Sequence, residues 1–213
     1  MRPVNRGEHP AELASPMAHY RDAAPYLEKR LGRYCSYCER WIATSLAVEH
    51  ISPKDADAAK ERDWNNFLLA CTNCNSTKGT KAPTSDSLWP DQHDTFGALL
   101  YREDGAIKPH PDLPPEEQAR SAALLQLVGL DKPPKNDNSH RWDDRLEAWR
   151  KAKTAQQLIQ RVPQQSLNMA RELALETLTG HGGWSIWMTV FSNDPDMQNR
   201  LITVLPGTAA ERL

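Results

Sequence analysis

Four cysteines, at 35, 38, 71 and 74, fall into two pairs, each pair separated by two residues, with 32 residues between the inner members. Two thiolates on a short turn can address one ion, and two such turns complete a tetrahedron, so the spacing reads as Zn²⁺ before it reads as disulfide. Four sulfurs leave no open coordination position. Such a metal contributes folding free energy and closes the chain around other chemistry. That chemistry has candidates: Glu49-His50 and Asn65-Asn66 lie between the two pairs, and Asn75 and Lys78 follow the second.

The elements that must position these groups are short. Ser45 to Ile51 alternates well enough for a strand, with Leu46, Val48 and His50 on one face and Ala47 and Glu49 on the other, and Pro53 halts it. Asn75 is expected to open a helix. Ahead of the cysteines, Ala23 to Leu31 carries a helical apolar stripe of Tyr26, Leu27 and Leu31. Beyond them, Thr95 to Tyr101, a Glu103-Asp104-Gly105 turn and Ala106-Ile107 predict a hairpin. Helices are expected from the Pro114-Pro115 start to Val128, from Arg141 to Arg161, and from Ser166 to Thr179. The stretch from Trp184 to Leu205 suits a further helix or a strand. The chain divides into an arm (1–33), a core (34–82) and a mainly helical region (83–213).

At 213 residues the chain is large enough for a core and too small for a multidomain machine. Its net charge of -2 excludes a molecule that is cationic overall. Residues 29–81 nevertheless hold 9 Lys and Arg against 6 Asp and Glu, so positive charge gathers at the candidate site. No apolar run reaches the roughly 18 residues of a membrane span, and residues 1–7 lack a secretion h-region. A soluble, cytoplasmic protein without a membrane partner is expected.

The order Cys-x2-Cys, Glu-His-Ile-x-Pro, Asn-x4-Cys-x2-Cys-Asn-x2-Lys resembles the HNH endonuclease motif in a zinc-stapled form, over about residues 34 to 81. The resemblance implies an α+β fold with a ββα-metal core. It makes His50 the general base that deprotonates water, and Asn66 the residue that holds the loop, with Asn65 the one-residue-off competitor. Glu49 and Asn75 become ligands of a second metal. The third position is asparagine rather than histidine, so the donors are oxygens and favour Mg²⁺ or Mn²⁺. Lys78 would meet a phosphate as a point charge, with Lys54 and Lys81 extending the track. Asn75 also has a plainer reading as a helix N-cap.

More loosely, Met1 to Pro10, Tyr34 to Arg40 and Leu205 to Ala209 look like the PtuB-type nucleases of Septu and retron anti-phage systems. That likeness implies a partner, an SMC/ABC-like ATPase of the PtuA type, docked on the acidic helical region through anchors such as Trp142, Trp149 and Trp187. The substrate would be nucleic acid, with DNA favoured. Two readings compete: a non-catalytic zinc-ribbon binding module, and a standalone restriction-type HNH nuclease.

Overall fold

A computed structural model describes residues 1–55, 57–84, 86–137 and 139–213. The fold is mixed, α+β as expected, with two small antiparallel sheets among helices. Helix α1 (Ala24–Leu31) follows a single 3₁₀ turn at Tyr20–Ala23 and buries Leu27 and Leu31. Strands β1 (Leu46–His50) and β2 (Phe67–Cys71) pair with Leu46 opposite Cys71 and His50 opposite Phe67. Every residue of β2 is buried, and both Val48 and Glu49 of β1 are, so this hairpin has no solvated face.

Helix α2 (Thr72–Lys78) begins three residues earlier than Asn75. Its N-cap is Cys71, whose Sγ accepts from the Cys74 amide at 3.4 Å, so the cysteine pair itself starts the helix. This corrects the reading of Asn75 as opening or capping residue: Asn75 lies inside the helix, one turn before Lys78.

The second hairpin pairs β3 (Leu99–Tyr101) with β4 (Ile107–Pro109): β3 is the last three residues of the expected strand, and β4 runs two residues past Ile107. Helix α3 (Pro115–Val128) ends at left-handed Gly129, and α4 (Arg141–Arg161) and α5 (Leu167–His181) follow. The apolar tail forms two helices, α6 (Trp184–Val190) and α7 (Pro195–Val204), because Asp194 caps a new start by accepting from the Met197 amide at 3.0 Å. Proline at the first helical position lacks only an amide that would have no helical partner.

One apolar cluster runs from Met1 through α1 and the first hairpin to Leu130 and Ile186. A second lies among α4 to α7, centred on Trp184, Trp187 and Phe191. Gly182 joins the cysteine turn to the helices. Its backbone lies so close that an added Cβ would sit 2.1 Å from the Glu39 carbonyl, and its φ of +84° also favours glycine. The arm is integral to the packing: Met1 is wholly buried, its amino group donating to Thr95 O at 2.9 Å. Trp187 is 1% exposed and stacked on Phe191, so it is a core residue and unavailable as a docking anchor. Among the described residues, no helix is long and apolar enough to cross a membrane.

Candidate functional site

The Cys35 turn and the β2–α2 junction bring the four Sγ atoms within 4.8 Å of one another. Cys38 Sγ and Cys71 Sγ are 3.7 Å apart. A tetrahedron of metal–sulfur bonds of about 2.3 Å has sulfur–sulfur edges of about 3.8 Å, so the donors fit a structural zinc in both type and spacing. Among the described residues, no other group of three or more His, Cys, Asp or Glu side chains is arranged to hold an ion.

His50 closes β1 and is half-buried, its ring edge-on to Tyr20 (4.8 Å) and Phe67 (5.1 Å). Its Nε2 lies 2.9 Å from the Glu61 carbonyl. A carbonyl can only accept, so Nε2 carries the proton and Nδ1 keeps a lone pair. No described residue hydrogen-bonds that Nδ1. Burial lowers the His50 pKa, and the charges of Lys54 and Lys78 lower it further, against the raising effect of the Glu61 contact. The imidazole is thus neutral at pH 7 and its free nitrogen is basic.

Asn66 fixes the loop that carries the Glu61 carbonyl. Its Oδ1 accepts from Ser52 N at 2.7 Å, while Nδ2 donates to Ser52 O at 2.8 Å and to Lys60 O at 2.9 Å. One amide therefore ties both ends of the loop between His50 and Glu61, at 4% exposure. Asn65, the competitor, uses only its backbone in the contacts described, its amide donating to Asp63 Oδ1 at 2.9 Å.

Glu49 points the other way across the strand and is 2% exposed. Its Oε1 lies 2.8 Å from Lys78 Nζ, too oblique for a hydrogen bond, and Lys78 Nζ donates instead to His50 O at 2.6 Å. Burial raises the Glu49 pKa, and Lys78 only partly offsets this. Lys78 itself is 1% exposed, with its ammonium 6.0 Å from the Trp89 ring centre. It is therefore a buried staple from α2 to β1, rather than the exposed lysine the sequence suggested. A lysine stem buries readily, and Glu49 supplies the charge that the buried head requires. Lys54 and Lys81 are exposed, Lys81 donating to Thr77 O at 3.0 Å. Asn75 is half-buried, and its side-chain amide makes no hydrogen bond to a described residue.

Glu49 and Asn75 thus offer oxygens of the type a hard divalent ion takes. Lys78 is the cation that Glu49 holds in this structure. Beside Ser52 and Asn66 opens a polar cleft of about 410 Å³ that also touches Lys60, Ser87, Trp89 and Gln92.

Arg6 is a positioning residue that sequence reasoning missed. It is 8% exposed, its Nε donates to Phe67 O at 3.0 Å, and its Nη1 donates to Asn65 O at 3.2 Å and to Asp91 Oδ2 at 3.0 Å. It brackets Asn66 from the far side of the chain. Nothing in its local sequence signals this, because its partners lie 59 to 85 positions away.

The model of the HNH endonuclease family matches residues 35–81, the segment that carries both cysteine pairs, His50, Asn66 and Asn75. No curated protein matches the chain.

Proposed function

We propose that the chain is a metal-dependent HNH endonuclease that hydrolyses phosphodiester bonds of nucleic acid, with DNA the favoured substrate and His50 the general base. The observation that carries this reading is the His50 ring, pinned through Nε2 to Glu61 O with Nδ1 unclaimed. A neutral, oriented imidazole is what abstraction of a proton from water needs, and such a base contributes about 10²- to 10⁴-fold. The HNH match over residues 35–81 supports a nuclease.

Asn66 holds the loop that holds the ring, and Lys54 and Lys81 are exposed cations that suit a phosphate track. Mg²⁺ or Mn²⁺, bound by Asn75 and by Glu49 released from Lys78, would stabilise charge on the phosphate and the departing 3′ oxygen. Lys78 serves the site from within, fixing α2 against the strand that bears His50. The zinc is Cys35, Cys38, Cys71 and Cys74's alone and takes no part in hydrolysis.

The wider reading is that this nuclease is the effector of a Septu-like anti-phage complex with an SMC/ABC-like ATPase. Its support is the looser likeness at the chain ends and an apolar groove between α4 and α5, where Leu158 and Leu173 are exposed. The test of the nuclease is His50→Ala, assayed on DNA and RNA with Mg²⁺ or Mn²⁺, alone and with the ATPase. The variant should fold, retain zinc and lose at least about 10²-fold in cleavage. Undiminished cutting would refute the assignment of His50, and a wild type that binds nucleic acid without cutting it under any of these conditions would restore the binding-module reading.

A further inference from the structure

We propose that Arg40 and Arg141 are the counter-charges of the four-cysteine metal centre, and that through Arg141 the metal holds the α3–α4 junction against the first hairpin. The inference rests on the cysteine site alone and stands whether or not His50 cuts nucleic acid.

Four thiolates around one divalent ion leave two negative charges in excess. Cys35, Cys71 and Cys74 are all at most 1% exposed, so water does little to screen that charge. Two guanidiniums answer it. Arg141, the first residue of α4, is 3% exposed and donates from Nη1 to Cys74 Sγ at 3.3 Å. The same group donates to Val128 O at 2.7 Å, to Gly129 O at 3.0 Å and, from Nε, to Ser139 Oγ at 2.7 Å. Val128 closes α3, so one side chain touches a metal ligand, caps the orphan carbonyls of one helix and begins the next.

Arg40 follows the first cysteine pair by two residues, and its guanidinium reaches Asn73, which lies between the two cysteines of the second pair. It donates to Asn73 Oδ1, to Ser139 O at 3.2 Å and to Asp144 Oδ2 at 3.3 Å. Both arginines meet at Ser139, one on its carbonyl and one on its hydroxyl. The bracket runs from the cysteine turn to the loop ahead of α4.

A plainer account gives Arg141 to Asp137, whose Oδ1 is 3.6 Å from its Nε. That carboxylate is already shared with Ser139 N at 3.2 Å and Trp142 N at 2.8 Å, and it leaves the Nη1 contact to sulfur unexplained. A thiolate is a strong acceptor for guanidinium and a neutral thiol a weak one. Loss of the metal, which lets the cysteines take up protons, therefore removes the partner Arg141 needs.

The test uses the full chain loaded with Zn²⁺, with zinc transfer to 4-(2-pyridylazo)resorcinol and amide hydrogen exchange as readouts. Arg40→Met and Arg141→Met should each hold zinc about 10- to 100-fold more weakly, the usual effect of losing a group that supports a metal ligand. Arg141→Lys should recover part of this, because the charge is kept and the fork is lost. In the wild type, zinc removal should speed exchange at the end of α3 and the start of α4 as well as in the cysteine turns. Folded arginine variants with wild-type zinc affinity would overturn the proposal, as would exchange in α3 and α4 that ignores zinc. Should Arg141→Met fail to fold, Arg40→Met and the wild-type exchange decide between the two outcomes.

Discussion

Three ion pairs in and around the cysteine-bracketed segment are enclosed by the protein, whereas pairs on the outer faces of the C-terminal helices are open to water. Lys78–Glu49, Arg6–Asp91 and Arg141–Asp137 all have side chains at most 8% exposed. On the helices, Arg150–Glu147 is 66% and 45% exposed, and Arg200–Glu172 29% and 55%. A buried pair is costly to form and far more costly to break, while an exposed pair is worth little either way. The segment around His50 therefore keeps charge at some cost to stability, and the expense goes into fixing where His50, Asn66 and Asn75 stand. The helices use charge mainly to stay solvated.

The strongest challenge to this contrast is to remove the metal ligands. Cys74→Ser deprives the centre of a sulfur and Arg141 of its acceptor, and should give insoluble or unfolded protein, as should Cys35→Ser. A soluble, folded Cys74→Ser chain with a full complement of zinc by elemental analysis would show that the buried charge is held by something else.

Next in size is Lys78→Met. It leaves Glu49 charged and enclosed, and urea titration should show a loss of about 3–5 kcal/mol. Adding Glu49→Gln should restore part of it, since no bare charge remains. Mn²⁺ titration of the single variant sharpens the result: if Glu49 is a ligand, removing its resident cation should lower the metal concentration needed. A loss below about 1 kcal/mol would place this pair with the exposed ones.

How much of this was legible in the sequence follows from the range over which each signal acts. The cysteine pairs, His50, Asn66 and the helix ends at Pro115 and Gly129 are local patterns, and the fold keeps them. Lys78 was misjudged because a lysine one turn beyond Asn75 looks solvated until Glu49, 29 positions earlier, is seen beneath it. Arg6 was missed because its acceptors lie 59 to 85 positions away, and Arg141 because the sulfur it meets lies 67 positions away, and no periodicity announces either. Trp187 read as an anchor because an amphipathic pattern shows that an apolar face is covered without showing by what.

The pH response of His50 tests the same contrast more gently. Its folded pKa lies below the usual 6.5, so as pH falls the unfolded chain takes up the proton first. The His50 contribution to stability is thus complete above pH 6.5 and is lost as pH drops from there through the folded value. Chemical denaturation across that range should show a decline that His50→Gln lessens. By the same lowering, the acid limb of the cleavage profile should have its midpoint below 6.5. A midpoint above 6.5 would mean that the imidazole is stabilised in its charged form, contrary to a general base kept neutral by burial.

The smallest effect belongs to the helices. Arg150 Nη2 lies 2.6 Å from Glu147 Oε1 and its Nε donates to Oε2 at 2.9 Å, so the pair is well formed by geometry alone. Glu147 also has Lys151 at 3.3 Å, and together these cations hold its pKa down at about 2. Yet both partners are open to water, which solvates each charge as well after the pair is broken as before, and salt screens what attraction remains. Arg150→Ala should leave the melting temperature unchanged within error at physiological ionic strength, with zinc content intact. A clear destabilisation there, comparable to that of Lys78→Met, would erase the difference between the two regions and locate structural charge in the helices as well.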